Sequence, residues 1–148
     1  MCLFPMMMGG AQQQQNAAAP PEVKSHQCHL YIIAILHFSM AIMLCIVLPP
    51  LGISEIFSAL ILMCTAYAMN FCMLIFYMIM MIMDVVQYFS AIGLLIQRGD
   101  FVRCYRKELQ DKCDPFEVTV LILFFVFSIG AVVVSFYAYR IFKAFSIG

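Results

Sequence analysis

Three long stretches of the chain carry almost no charged side chains, and their lengths restrict what it can fold into. Residues 30–48 are 19 consecutive uncharged residues, and residues 118–139 are 22. Between them, the 47 residues 51–97 contain only two charges, Glu55 and Asp84. A helix that crosses the hydrocarbon core of a bilayer, about 30 Å thick, needs roughly 20 apolar residues. The three stretches therefore predict membrane-spanning helices.

The composition excludes an ordinary water-soluble domain. Hydrophobic residues make up 65% of the chain and charged residues 11%, against about 45–50% and about 25% in soluble domains. Ten of the sixteen charges lie in residues 98–117, so too few remain to cover a soluble surface. The formal net charge is zero, which gives no reason to expect a nucleic-acid partner. We predict an all-α polytopic transmembrane bundle that has the lipid bilayer around it.

The middle stretch must fold back on itself, because a single helix of 47 residues would be about 70 Å long. The most polar short segment near its middle is residues 65–70, and Asn70 is a residue that turns tolerate. A turn there gives four spans, at about residues 30–48, 51–66, 71–96 and 118–139. Three spans, with one long tilted helix and an interfacial segment, are the alternative.

Polar segments flank these spans. In residues 1–29 an apolar start is interrupted by Pro5 and followed by Gly, Gln, Ala and Pro tracts, which predicts a disordered low-complexity tail. Residues 98–117 form a polar loop before the last span, and residues 141–148 form a short C-terminal tail. The bundle itself is thus expected within residues 30–140.

The distribution of basic residues bears on the orientation in the membrane. With four spans, the polar loop carries five basic residues, whereas Lys24, Arg140 and Lys143 lie on the side of the termini. Basic residues prefer the cytoplasmic side, so this difference of two favours a cytoplasmic loop.

The cysteines favour the opposite orientation. Cys104 and Cys113 are separated by eight residues in the polar loop, an arrangement typical of a disulfide in an oxidising compartment. Two unpaired thiols are the alternative. Because the loop is also rich in acidic residues, we expect it to be luminal or extracellular, with both termini cytoplasmic, in an endomembrane or the plasma membrane. Cys2 and Cys28 lie in the cytoplasmic tail of this arrangement and are candidates for S-acylation.

Polar side chains within the spans predict an intramembrane polar site. A carboxylate in the middle of a span is costly and usually faces the bundle interior. Asp84, Gln87, Tyr88 and Ala91 share one helical face, and His37 in the first span is at a depth that could meet Asp84. This site would be either a hydrogen-bonded clasp between helices or a proton- or ion-linked site.

Two further positions concern the ends and faces of helices. Glu55 follows two prolines and a glycine near the start of the second span, so we expect an interfacial carboxylate at a helix N-terminus.

In the last span, Ser128, Ala131 and Ser135 form a stripe of small residues that lets another helix approach closely. That helix belongs either to the same bundle or to a partner.

The sequence predicts neither an enzyme nor a cofactor, since it contains no Gly-rich phosphate loop, His-Glu-x-x-His or Gly-x-Ser-x-Gly motif. Met69 and Met73 are similar to the Met-x-x-x-Met pair of high-affinity copper transporters. The close Gly-x-x-x-Gly packing expected in the final span of that family is absent here. Methionine as an adaptable packing residue is the preferred interpretation, and no metal site is predicted.

The layout of residues 30–140 resembles small tetraspan proteins of the MARVEL type. It combines four closely joined spans, minimal first and second connections and a cysteine-bearing loop before the last span. The loop before the second span is shorter than in many tetraspan proteins. The resemblance implies a loop disulfide at Cys104 and Cys113, and a role in organising membrane domains, trafficking cargo or forming junctions without catalysis.

We therefore expect a non-enzymatic membrane-organising, trafficking or accessory subunit that acts through helix packing with other membrane proteins or a second copy. A small oligomeric proton- or ion-coupled carrier that uses Asp84 is the alternative. Copper transport is a more remote third.

Overall fold

Four α-helices make up nearly all of the described chain. The computed structural model describes residues 18–99 and 115–147, in which α1 spans Pro21–Val47, α2 spans Pro49–Ala68, α3 spans Phe71–Gln97 and α4 spans Pro115–Ile147. Each helix is long and apolar enough to cross a membrane. The all-α bundle with four spans is confirmed, and the arrangement with three spans is wrong.

The helices pack as a closed ring. α1 packs mainly against α2, α3 against α4, and the ring is completed by contacts of α1 with α4 and of α2 with α3. Short connections and a membrane-spanning length make consecutive helices run in opposite directions. We call the end that contains Leu48, Arg98 and Glu117 the loop end. The end that contains Pro21 and the α2–α3 turn is the tail end.

The turn between α2 and α3 lies where the polar segment predicted it. Met69 ends α2 in the left-handed conformation, with φ 46°, which reverses the chain within two residues. Asn70 then caps α3, because its side-chain oxygen accepts a hydrogen bond of 2.9 Å from the backbone N–H of Cys72. An Asn cap satisfies one of the free N–H groups of a helix start, so Asn70 stabilises the turn.

The turn between α1 and α2 is tighter still. Leu48 alone separates the two helices, and Pro49 begins α2 at a position that proline favours. Gly52 lies directly against the backbone of Cys45, so that a methyl group at Gly52 would overlap the backbone nitrogen and Cα of Cys45. The absence of a side chain at Gly52 therefore lets the last turn of α1 touch the first turn of α2.

α1 begins nine residues before the span that the apolar stretch predicted. Pro21 occupies the first helical position and Glu22 lies in the first turn, both of which favour a helix start. Gln27 donates a hydrogen bond of 2.9 Å to the carbonyl oxygen of Ala66 near the end of α2, which satisfies a group that a helix C-terminus leaves free. Residues 21–29 thus belong to the bundle and not to the predicted tail, because a helix can extend beyond the bilayer once its ends are satisfied.

α4 also continues past its predicted end. The helix runs to Ile147, and Phe142, which lies in the predicted C-terminal tail, is fully buried. The extension packs against the early residues of α1, since Phe142 shares a buried cluster with Val23.

The buried apolar residues form two clusters. The tail-end core contains Leu30, Ala34, Leu62, Leu74, Tyr77, Met81 and Phe142 among others. The loop-end core contains Leu44, Tyr88, Val120, Leu121 and Phe124. Large apolar side chains also cover the outside of all four helices, for example Ile46, Phe57, Phe89 and Val126. This arrangement suits a bundle that is surrounded by lipid.

Candidate functional site

His37 lies in the interior of the bundle. The buried residues of α1 recur every three or four positions, at Leu30, Ala34, His37, Ala41 and Leu44, which is the spacing of one helical face. Alanine one turn before and one turn after His37 leaves room for the imidazole. The side chain is fully buried, although it lies within an apolar stretch of the sequence.

Both nitrogens of His37 have hydrogen-bond partners on other helices. Nε2 lies 2.9 Å from Oε2 of Glu55 on α2, and Nδ1 lies 3.0 Å from the hydroxyl of Tyr77 on α3. The hydroxyl of Tyr88, also on α3, donates a hydrogen bond of 2.7 Å to Oε1 of Glu55. We call these four side chains the His37–Glu55 network. It connects three helices across the centre of the bundle.

Every polar atom of the network that can bond is satisfied, as buried polar groups require. A tyrosine hydroxyl can donate or accept a hydrogen bond, whereas an imidazole nitrogen donates only when it is protonated. Tyr77 can therefore pair with Nδ1 of His37 in either state of that nitrogen. The geometry accommodates more than one protonation state without losing a hydrogen bond.

Aromatic rings from α4 enclose the network on its fourth side. The ring centroid of His37 lies 6.2 Å from that of Phe124 and 5.4 Å from that of Phe127, and both pairs are close to edge-to-face. Tyr88 also contacts Phe124, with centroids 5.6 Å apart. Such contacts add to the burial of apolar area and fix the orientation of the imidazole.

Glu55 is the residue that sequence reasoning misplaced. We predicted an interfacial carboxylate, but Glu55 is only 2% exposed and bonds to two residues of the network. A signal was present in the sequence, because Gly52, Glu55, Ser58, Leu62 and Thr65 follow a helical spacing and are all buried in α2. Polar and small residues on one face of a membrane helix indicate an inward face.

Asp84 and Gln87 do not join the network. Asp84 is half-buried and makes no hydrogen bond or ion pair with any other residue in the described ranges, and Gln87 is exposed. The expected pairing of Asp84 with His37 is wrong, since Glu55 and Tyr77 occupy both imidazole nitrogens. Asp84 lies one helical turn before Tyr88, next to the network and outside it.

The small-residue stripe of α4 faces the inside of the bundle. Ser128, Ala131 and Ser135 are all buried, and the hydroxyl of Ser128 donates to the backbone oxygen of Phe124 at 2.7 Å. Of the two alternatives, the stripe therefore packs within the bundle. It does not offer a free face to a partner helix.

The described residues do not bring metal ligands together. Within residues 18–99 and 115–147, no three His, Cys, Asp or Glu side chains form a group that could hold a metal ion. Met69 lies in the turn and Met73 in the first turn of α3, so the two do not share one helical face as the copper interpretation required. Cys28 is exposed near the tail end. Cys2, Cys104 and Cys113 lie outside the described residues.

A cavity adjoins the network at the loop end. It has a volume of about 310 Å³, and its wall consists of five leucines together with Gln87, Tyr88, Ala91, Arg98 and Glu117. The leucines are Leu48, Leu51, Leu94, Leu95 and Leu121. A second hollow, of about 430 Å³, lies between α3 and α4 and is lined by apolar residues that include Ile79 and Phe136. Only the first of these two is in contact with a residue of the network, through Tyr88.

Comparisons with known proteins find no matching family model, no matching curated protein and no matching solved structure.

Proposed function

We propose that the protein is a non-enzymatic integral membrane protein that organises its membrane environment or serves as an accessory subunit. The observation that supports this proposal is that polar side chains lie inside the bundle and large apolar side chains cover its outer surface. The central polar side chains bond to one another, while Ile46, Phe57, Phe89 and Val126 expose more than half of their surface. An outer surface of this kind is suited to lipid tails and to other membrane helices.

The layout supports the same class of function. Four spans with two very short turns and one longer polar connection resemble the small tetraspan proteins of the MARVEL type. In this proposal Cys104 and Cys113 form a disulfide on the luminal or extracellular side of an endomembrane or the plasma membrane. Cys28, which is exposed, is then available for acylation on the cytoplasmic side, as Cys2 is expected to be.

Partners are proposed to contact the outer face, since the small-residue stripe of α4 is already used inside the bundle. The photo-cross-linking residue p-benzoylphenylalanine at Phe57 or Phe89, in cells, tests this. Both side chains are exposed, whereas the matched control Phe124 is fully buried. We expect discrete adducts with a second copy or with other membrane proteins at Phe57 or Phe89 and none at Phe124. Adducts with lipid alone at both exposed positions would contradict the proposal.

A proton- or ion-coupled carrier is the second candidate. The observation that favours it is Asp84, which lies in a span and is half-buried. Its carboxyl group has no hydrogen-bond partner among the described residues. Intramembrane carboxyl groups often belong to ion pathways. A chain with four spans has few helices to enclose such a pathway, so a carrier would require several copies.

A further inference from the structure

We propose that the His37–Glu55 pair is a proton-binding site that is reached from the loop end of the bundle through the cavity beside Tyr88. The inference goes beyond the proposed function, because it concerns the ligand and the access side of the buried network. It involves neither transport nor Asp84.

The first step is access. Tyr88 belongs both to the wall of the cavity of about 310 Å³ and to the network, where its hydroxyl lies 2.7 Å from Oε1 of Glu55. Water occupies about 30 Å³ per molecule in the liquid, so the cavity has room for several. Gln87, Arg98 and Glu117 supply polar groups to which such waters can bond. Tyr88 is thus the residue that the cavity wall and the network have in common.

The second step is the proton balance. A hydronium ion in the cavity gives its proton to the hydroxyl oxygen of Tyr88, and the original hydroxyl proton of Tyr88 moves to Oε1 of Glu55. Water remains in the cavity, and the pair has gained one proton and lost one negative charge. The hydroxyl of Tyr88 then accepts from Oε1–H instead of donating. The added proton stays on Glu55, and Nε2–H of His37 continues to donate to Oε2 of the neutral carboxyl group.

The third step concerns the surroundings of the pair. The groups that face it or adjoin it are His37 on α1, Glu55 on α2, Tyr77, Tyr88 and the half-buried Asp84 on α3, and the rings of Phe124 and Phe127 on α4. The described part of α4 places no charged side chain in the core. Toward the tail end, the fully buried Leu62, Leu74 and Met81 of the tail-end core exclude water. Access is therefore expected from the loop end alone.

Proton uptake is tested on the full chain in lipid vesicles. The chain has three histidines, so ¹⁵N-histidine labelling yields few NMR signals, and His26→Asn and His29→Asn assign the remaining one to His37. Infrared spectroscopy follows the carboxyl band that Glu55→Gln removes. As the pH is lowered from about 8 to about 5, we expect the Glu55 band to report the gain of one proton and the His37 signal to shift because its partner loses its charge. No change in either signal would overturn the proposal.

The access side is tested by filling the cavity. Ala91→Phe adds a ring to the cavity wall. Ile79→Phe, on the same helix, enlarges a residue that lines the second hollow, between α3 and α4. After a rapid pH change we expect Ala91→Phe to slow proton uptake at least about tenfold, or about 1.4 kcal/mol in the barrier, and Ile79→Phe to leave the rate unchanged. Equal rates in both variants would overturn the route through the cavity. Ala91→Leu replaces Ala91→Phe if the larger side chain prevents folding.

Discussion

At the scale of single residues, the buried network shows how strongly a polar group in an apolar bundle depends on its partners. His37 and Glu55 bond to each other and each has one tyrosine as a second partner. Removing one partner leaves a buried polar atom unsatisfied, which costs more than the net gain from forming a hydrogen bond. The two tyrosines are therefore part of what holds His37 and Glu55 in the bundle interior.

Tyr77→Phe is expected to lower the free energy of unfolding by about 1–2 kcal/mol. The ring remains, but Nδ1 of His37 loses its hydrogen-bond partner. The matched control is Tyr137→Phe, because Tyr137 is exposed on α4 and should change stability little. Chaotrope or SDS unfolding in mixed micelles, followed by circular dichroism, measures both variants. Equal stability of the two would show that the Tyr77 hydrogen bond contributes nothing.

Asp84→Asn discriminates between the proposed function and the carrier. Asparagine keeps the volume of the side chain and cannot change charge, so a non-transporting protein should fold normally and retain its cross-linked partners. A proton-coupled carrier should lose its flux, since the carboxyl group must gain and lose a proton in each cycle. Measurements of proton-linked flux in reconstituted vesicles, for the wild type and for Asp84→Asn, distinguish the two functions. A proton-linked flux in the wild type that Asp84→Asn abolishes would contradict a purely organising role.

At the scale of helices, the close contact of α1 and α2 depends on a single glycine. The two helices are joined through Leu48 alone, and Gly52 lies against the backbone of Cys45. The single linking residue and the prolines at the start of α2 keep the two helix ends together. The contact between Gly52 and Cys45 therefore has little freedom to relax. It also sets the register that places Glu55 beside His37.

Gly52→Ala should destabilise the protein by about 1–3 kcal/mol, the usual cost of overpacking. It should also lengthen the distance between His37 and Glu55. Gly130→Ala is the matched control, because a methyl group at Gly130 on α4 meets no atom within 4 Å and alanine favours a helix by about 0.5–1 kcal/mol. Unfolding measurements on both variants test this. A Gly52→Ala variant as stable as Gly130→Ala would rule out the tight contact.

At the scale of the whole molecule, the alternating direction of the helices places both described ends of the chain on one side. Residues near Cys28 and the α2–α3 turn share the tail end, and Gly99 lies at the loop end together with Pro115. The number of spans therefore determines which segments share a side, and the orientation determines which compartment each side faces.

We expect the loop end to face the lumen or the outside of the cell. In a variant whose cysteines at 104 and 113 are serine, Gly99→Cys should react with a membrane-impermeant maleimide added from that side. Native Cys28, which is exposed, should react only after permeabilisation. The reverse pattern would show that the positive-inside tendency of the loop outweighs the argument from its cysteines.

The sequence alone determined the class of fold and the approximate positions of the four spans, because bilayer thickness sets a minimum length that an uncharged stretch either meets or does not. Asn70 and the prolines at 49 and 50 also marked the two short turns. The helix ends at Pro21 and Ile147 were missed, since tertiary contacts stabilise them, such as the hydrogen bond of Gln27 to Ala66 and the burial of Phe142.

Only the tertiary structure decided which polar residues meet. α1 is apolar on nearly every side, and the polar face predicted for α3 does not point inward at Gln87, so the sequence does not specify how these helices are rotated about their axes. Packing of small residues and the contact at Gly52 determine these rotations, and they bring His37 to Glu55 while Asp84 remains outside the network. A shift of one residue in register turns a helix by about 100°, as 3.6 residues per turn require, which is enough to exchange one partner for another.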